Sequence, residues 1–308
     1  MAAVDLGATI SLARSGWETT GVDVLGSAEE GTGTMRFCFG TINVRYRLPI
    51  EEILPPVAEL GYEGVEVWGP QIDGKPDEEL LALREEAREL RLGIPCLTPY
   101  LCFTGTRQMW EASLAIAKRF VHYADLLGAP YIRGLTSVHI DLKNYRQEPV
   151  AELDNLAPSA EAAQEQWQQT IDAYRELSSH IEAAGVNVTF ALETHGNNLS
   201  DTAAGCRRLL EAVGSPRLRI LYQGFLGEEP VAGLEVIYDG VVHAHVQYVG
   251  GRGKEKFLPV VRKLAEKGYT GWVNVEFTDP PGEGEGLEVL WHNAARDLRL
   301  VREAARLT

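Results

Sequence analysis

The sequence predicts an α/β protein built as a (β/α)8 TIM barrel, a single domain behind a flexible N-terminal extension. Three observations point to it. From Met35 onward, short apolar runs alternate with amphipathic helical patterns. Regular alternation of this kind means a parallel sheet. About eight such units in roughly 270 residues match a closed barrel in count and in length. An open doubly wound sheet is the competitor, and it usually carries a Gly-rich turn after its first strand. Phe39-Gly40-Thr41-Ile42-Asn43 lacks the G-x-G-x-x-G spacing.

Taken in order, residues 1–34 are rich in Gly, Ala, Ser and Thr and show no sustained period of 3.6 or 2. They read as the extension, and the barrel occupies 35–308. Apolar runs place strands at 36–41, 63–68, 94–98, 130–135, 187–193, 218–223, 241–247 and 272–277. Helical patterns fall at Glu51 to Leu60, Pro76 to Leu90, Arg107 to Leu127 and Ala160 to Ala184. They continue at Thr202 to Val213, Phe257 to Lys267 and Leu287 to Ala305. Pro76-Asp77 and Ser200-Asp201 are turn pairs suited to a helix start. The stretch from Ser137 to Ser159 is long for a βα loop, mixes charges with Tyr145 and Pro149, and is expected to serve as a lid.

Bulk composition narrows the function. The 308 residues are 45% apolar and 24% charged, as in soluble globular proteins. No apolar run approaches the roughly 18 residues of a bilayer span, and no signal-peptide pattern opens the chain, so the expected location is cytoplasmic and no membrane partner is expected. Cys38, Cys96, Cys102 and Cys206 form no C-x-x-C pair and read as reduced, mostly buried thiols. A net charge of −15 argues against a nucleic-acid partner and for a small-molecule substrate.

Active sites of such barrels sit at the C-terminal ends of the strands. There the apolar runs end in Glu193, Gln223, the pair His243-Ala244-His245, and Glu276. His195 follows Glu193 by two residues and projects to the same side while the strand persists; Asn274 and Glu276 share that alternation. A single Glu at a strand end is more commonly a salt-bridge partner or a helix cap, and His-x-His alone is a weak signal. Glu193, His245 and Glu276 at three separate strand ends are harder to assign to packing, because buried charges are costly unless paired or bound to a cation.

Several other residues remain open between site and scaffold. Arg133 ends strand four and either faces the site or forms a rim salt bridge. Arg252, in Gly250-Gly251-Arg252-Gly253-Lys254, follows strand seven, where barrels bind anions, or else belongs to a loop feeding the next helix. Glu66 and Trp68 end strand two, with Trp68 as a pocket wall or a packed rim aromatic.

From Met35 to the C-terminus the chain resembles the xylose isomerase-like TIM barrels, the superfamily of sugar phosphate isomerases and epimerases and of endonuclease IV-type enzymes. The resemblance rests on Gly61-Tyr62-Glu63-Gly64-Val65-Glu66-Val67-Trp68 and on Leu192-Glu193-Thr194-His195-Gly196 with Asp201-Thr202. His243-Ala244-His245 and Val273-Asn274-Val275-Glu276 complete it. It implies a divalent cation held by Glu193, His245, Glu276 and, at a position where the family has Asp, Gln223. Where the family often has a second His, this chain has Leu226. A Gln oxygen can ligate but brings no charge, so weaker binding is implied. Oxygen-rich ligation with one imidazole favours Mn2+ or Mg2+, with Zn2+ or Co2+ as alternatives.

The implied activity is that of a metal-dependent sugar, sugar phosphate or polyol isomerase or epimerase. Glu193 and Glu276 would be its catalytic residues, moving a proton through an enediolate. His195, Arg252, Glu66, Trp68 and Arg133 are the candidate substrate contacts. Loss of a β-hydroxyl from the same intermediate would make a dehydratase or lyase, and weakened metal binding at Gln223 would suit a non-catalytic binding barrel. A nucleic-acid repair enzyme would want more His ligands and a basic groove. The resemblance also admits a homo-oligomer.

Overall fold

A computed structural model of the chain describes residues 34–138, 156–225, 227 and 229–306. The predicted extension (all but Thr34) and most of the predicted lid, with Tyr145 and Pro149, lie outside the described residues. Among the described residues, eight strands alternate with eight helices. In order they are β1 (Arg36–Gly40), α1 (Ile50–Glu59), β2 (Gly64–Trp68), α2 (Asp77–Glu89), β3 (Cys96–Thr98), α3 (Arg107–Leu127), β4 (Tyr131–Gly134) and α4 (Gln164–Ala184). Then follow β5 (Thr189–Glu193), α5 (Ala203–Val213), β6 (Leu218–Tyr222), α6 (Pro230–Ile237), β7 (Val241–Gln247), α7 (Lys254–Glu266), β8 (Trp272–Phe277) and α8 (Leu287–Ala305). Each strand pairs in parallel with the next, and β1 closes on β8 through Arg36↔Trp272 to Phe39↔Val275. The closed parallel barrel is the fold the sequence predicts.

Local chemistry explains the boundaries. Thr106 caps α3 by accepting from the Met109 N–H at 3.3 Å, and Gly128 ends that helix in the left-handed region at φ 69°. Thr202 and Gly214 (φ 67°) bracket α5 in the same way. One helix, α6, is absent from the sequence-based set. It has eight residues, with Pro230 in its first turn and Gly233 in its middle, and too few turns to show a period. Its start is fixed by Glu229, whose carboxylate accepts from the Ala232 N–H at 2.8 Å.

The main core lies between the strands and the helical ring, and includes Phe39, Val65, Val67, Phe190, Leu192, Val246, Val273 and Val275. Because the sheet is buried on both faces, its strands read as nearly continuous apolar runs, which is why they were legible. A second, small core of Cys96, Ala191 and Leu221, with Tyr131 and Val242 packed against it, is separate from the first. All four cysteines are buried free thiols. Gly40 lets β1 approach β8 closely, since a Cβ there would stand 3.0 Å from the Glu276 carbonyl oxygen, a tight contact. No helix among the described residues is long and apolar enough to cross a membrane.

Candidate active site

Period-two alternation sets the inward side chains of the second half of the barrel at two levels. Two residues along each strand lead from Tyr131 to Arg133, Ala191 to Glu193, Leu221 to Gln223, His243 to His245 and Asn274 to Glu276. The second member of every pair is polar. Arg133, Glu193, Gln223 and Glu276 line a cavity of about 390 Å3, and His245 is fully buried beneath them.

These groups touch. His245 Nδ1 stands 3.3 Å from Glu193 Oε1, 3.3 Å from Glu276 Oε2 and 3.2 Å from Gln223 Oε1. Arg133 Nη1 lies 3.6 Å from Glu193 Oε2 and 4.0 Å from Glu276 Oε1. Below, Glu66 Oε2 accepts from His243 Nε2 at 2.7 Å and from His245 Nε2 at 2.9 Å, while Glu66 Oε1 accepts from the Asn274 amide at 2.6 Å. With its Nε2 proton committed to Glu66, His245 presents Nδ1 to the carboxylates above, the carboxylate–imidazole arrangement that orients metal-binding histidines.

The charge balance of this cluster is uneven. Glu66, Glu193 and Glu276 are at most 4% exposed and Arg133 is 4% exposed. Three carboxylates against one guanidinium leave two negative charges in the barrel when both imidazoles are neutral, a costly state unless something offsets it. A divalent cation would carry the missing charge, and the donors suit one: two carboxylates, an imidazole nitrogen and an amide oxygen. Glu193 Oε2 is buried without a hydrogen-bond partner. Donor atoms bound about 2.0–2.2 Å from one centre stand roughly 3 Å from one another, close to the separations seen here. The ligand atoms of Glu193, His245 and Glu276 all lie within 4.8 Å of one another.

Proton affinities follow from the same neighbours. Burial pushes the Glu193 carboxyl up, but Arg133 and then the imidazoles outweigh it and hold the group down at about 2. Burial likewise disfavours ionised Glu66, yet His245 and His243 draw it below the usual carboxylate range. Burial lowers His243, keeping it neutral. Burial also opposes a charged His245, but Glu66 and then Glu276 raise it well above the ordinary imidazole value. A cation at Nδ1 would need that nitrogen free of a proton.

The xylose isomerase-like TIM barrel family matches residues 54–296 of the chain. The chain belongs to that family. Fructoselysine 3-epimerase of Shigella flexneri is 24% identical over 254 residues, covering 75% of this chain and 86% of that protein. Among solved structures, D-psicose 3-epimerase with D-tagatose from Clostridium cellulolyticum H10 superposes with a TM-score of 0.73 at 16% identity, covering 89% of this chain and 100% of the other. A probable 3-DHS dehydratase from Bacillus anthracis superposes with a TM-score of 0.66 at 17% identity, covering 87% and 99%. Likeness to the two solved structures at these identities shows a shared fold.

Of the sequence-predicted site residues, Glu193, Gln223, His245, Glu276 and Arg133 converge, and His195 joins the cavity wall with its Nδ1 2.8 Å from the Gly196 carbonyl oxygen. Three others stand apart from the cavity. Glu66 lies beneath His245, with its oxygens engaged by His243, His245 and Asn274. Trp68 is 1% exposed and donates its indole N–H to the Tyr100 hydroxyl at 2.9 Å, so Tyr100 forms the wall that Trp68 backs. Arg252 is exposed at the rim, its guanidinium 3.9 Å above the Tyr248 ring, which stacks on Phe277 of the cavity wall.

Three residues escaped sequence reasoning. Gln247 lines the cavity and donates to Glu276 Oε2 at 2.7 Å; the alternation His243, His245, Gln247 was the available signal. Asn43 donates to the Glu276 carbonyl oxygen at 2.9 Å and accepts from the Thr278 N–H at 2.8 Å, fixing the backbone around Glu276. Asn198 accepts from the Thr136 and Ser137 N–H groups at 2.9 and 2.8 Å, joining the loops after β4 and β5. Nothing in the sequence marks either asparagine.

Proposed function

We propose that the chain is a metal-dependent epimerase or isomerase of a sugar, sugar phosphate or polyol, working by proton transfer beside a carbonyl through an enediolate. The observation that carries this reading is the pair of buried carboxylates, Glu193 from β5 and Glu276 from β8, brought to one cavity on either side of His245. The 3-epimerase names of the curated relative and of a structural neighbour agree with it. A cavity of about 390 Å3 lies within the usual range for a small-molecule site.

Glu193, Gln223, His245 and Glu276 would hold the cation, with Mn2+ or Mg2+ favoured by the oxygen-rich donor set. When bound, the ion supplies Lewis-acid polarisation of a carbonyl and an adjacent hydroxyl. The remaining work falls to the chain. Glu193, kept ionised by Arg133, accepts a proton from the carbon beside the carbonyl. Glu276, reaching the same space from another strand and oriented by Gln247, returns a proton it has taken from solvent, and Glu193 gives its own to solvent before the next turnover. Return to the same carbon from the opposite face gives an epimer, and return to the neighbouring carbon gives an aldose–ketose pair. His195 offers a hydrogen-bonding edge to substrate hydroxyls at the wall.

The test is solvent deuterium exchange into a ketose incubated with the protein and Mn2+. Wild type should wash label into the carbon beside the carbonyl. Glu193→Gln and Glu276→Gln should each slow that exchange by about 10²–10⁴-fold while melting near the wild-type temperature. Exchange at the wild-type rate in both variants would remove the two carboxylates from the chemistry.

A further inference from the structure

The Gln223 amide can meet its neighbours in two ways. The amide is planar, and a half-turn about its last side-chain bond exchanges oxygen and nitrogen with little movement of the heavy atoms. With oxygen inward, Oε1 stands 3.2 Å from His245 Nδ1 and completes a four-donor set with Glu193 and Glu276. With nitrogen inward, the amide reaches Glu193 Oε1 at 2.7 Å, Glu276 Oε2 at 2.9 Å and, more distantly, His245 Nδ1 at 3.2 Å. The oxygen then turns away to accept from Gln247 Nε2 at 3.3 Å. Gln247 is already anchored, donating to Glu276 Oε2 at 2.7 Å.

In the absence of a cation these two arrangements are not equivalent. Oxygen inward sets an acceptor against one oxygen of each buried carboxylate and supplies neither with a donor. Nitrogen inward gives one N–H to each carboxylate and a donor to its own oxygen. Buried polar groups settle where their partners are complementary.

We infer that Gln223 makes this a two-state centre. Oxygen inward, it is the fourth donor to a divalent cation; nitrogen inward, it closes the same carboxylates into a hydrogen-bonded network that needs no cation. An aspartate has acceptors alone and could serve only the first state. The substitution that weakens cation binding thereby preserves the geometry of Glu193 and Glu276 when the cation leaves. The centre can release and regain its ion with the carboxylates held in place. This inference rests on the cation reading of the proposed function.

The test compares chelator-treated wild type with Q223D by two readouts other than activity. Titration with Mn2+ should give Q223D the tighter site by roughly tenfold, while its metal-free form melts roughly 3 °C or more below metal-free wild type. In wild type itself, the assigned Gln223 side-chain NH2 should exchange slowly with solvent in the metal-free protein and faster once Mg2+ is added. That second readout stands even if Q223D does not fold. Fast exchange without metal, or exchange unaltered by Mg2+, overturns the two-state amide and leaves the cation site standing. Failure of wild type and Q223D alike to bind Mn2+, Mg2+ or Zn2+ overturns the cation reading itself.

Discussion

The two halves of the barrel share one outer surface and differ at their inner rims. Strands β5 to β8 end in Glu193, Gln223, His245 with Gln247, and Glu276, each directed at the same space. Strands β1 to β3 end in Gly40, Trp68 and Thr98, and β4 supplies only Arg133. The first half contributes a close backbone approach, an aromatic wall, one fixed positive charge and, one level down, the Glu66 carboxylate. The second contributes nearly all the donor atoms. The donor groups that face the cavity are thus collected on one side, and the other side supplies Arg133, which offsets part of their charge.

That division fails visibly if Arg133 is removed. Arg133→Met should cost about 3–5 kcal/mol of stability, because it leaves Glu193 and Glu276 buried without their fixed counter-charge. Denaturant melts of the metal-free protein measure this. A loss below 1 kcal/mol would mean the two halves are not electrostatically coupled.

A smaller effect is expected from Glu66→Gln. Glu66 belongs to the first half yet accepts the Nε2 proton of His245, so it should tune the second half through that bond. Mn2+ affinity should fall about 10–100-fold with the fold intact, as for other partners of metal-bound imidazoles. An unchanged affinity would reduce Glu66 to a packing residue.

The smallest effect belongs to the wall. Trp68→Phe deletes one hydrogen bond to Tyr100 and should cost about 1 kcal/mol, with turnover of a ketose within about threefold of wild type. A much larger fall in turnover would place Trp68 against the substrate, one of the two readings its sequence position left open.

Much of this difference between halves was written in the chain. Buried parallel strands are continuous apolar runs, so their C-terminal ends, and the polar residues there, stand out: Glu193, Gln223, His245 and Glu276 were all legible. Depth was not. Glu66 and Trp68 also end an apolar strand, but the level each reaches depends on the stagger between neighbouring strands, here Gly40↔Glu66 and Trp68↔Thr98, and no single strand encodes its stagger. Gln247 was missed although it continues the alternation of His243 and His245. Asn43 and Asn198 act through backbone groups far away in sequence, and α6 is too short to display a helical period.

The claim most exposed to test is that the four strand-end side chains of the second half form one cation site. A crystal soaked in Mn2+ and measured for anomalous scattering addresses it directly. The account predicts one strong peak among Glu193, Gln223, His245 and Glu276, absent from Glu276→Gln crystals treated identically. No peak there in wild type, or a peak bound by other residues, would contradict it.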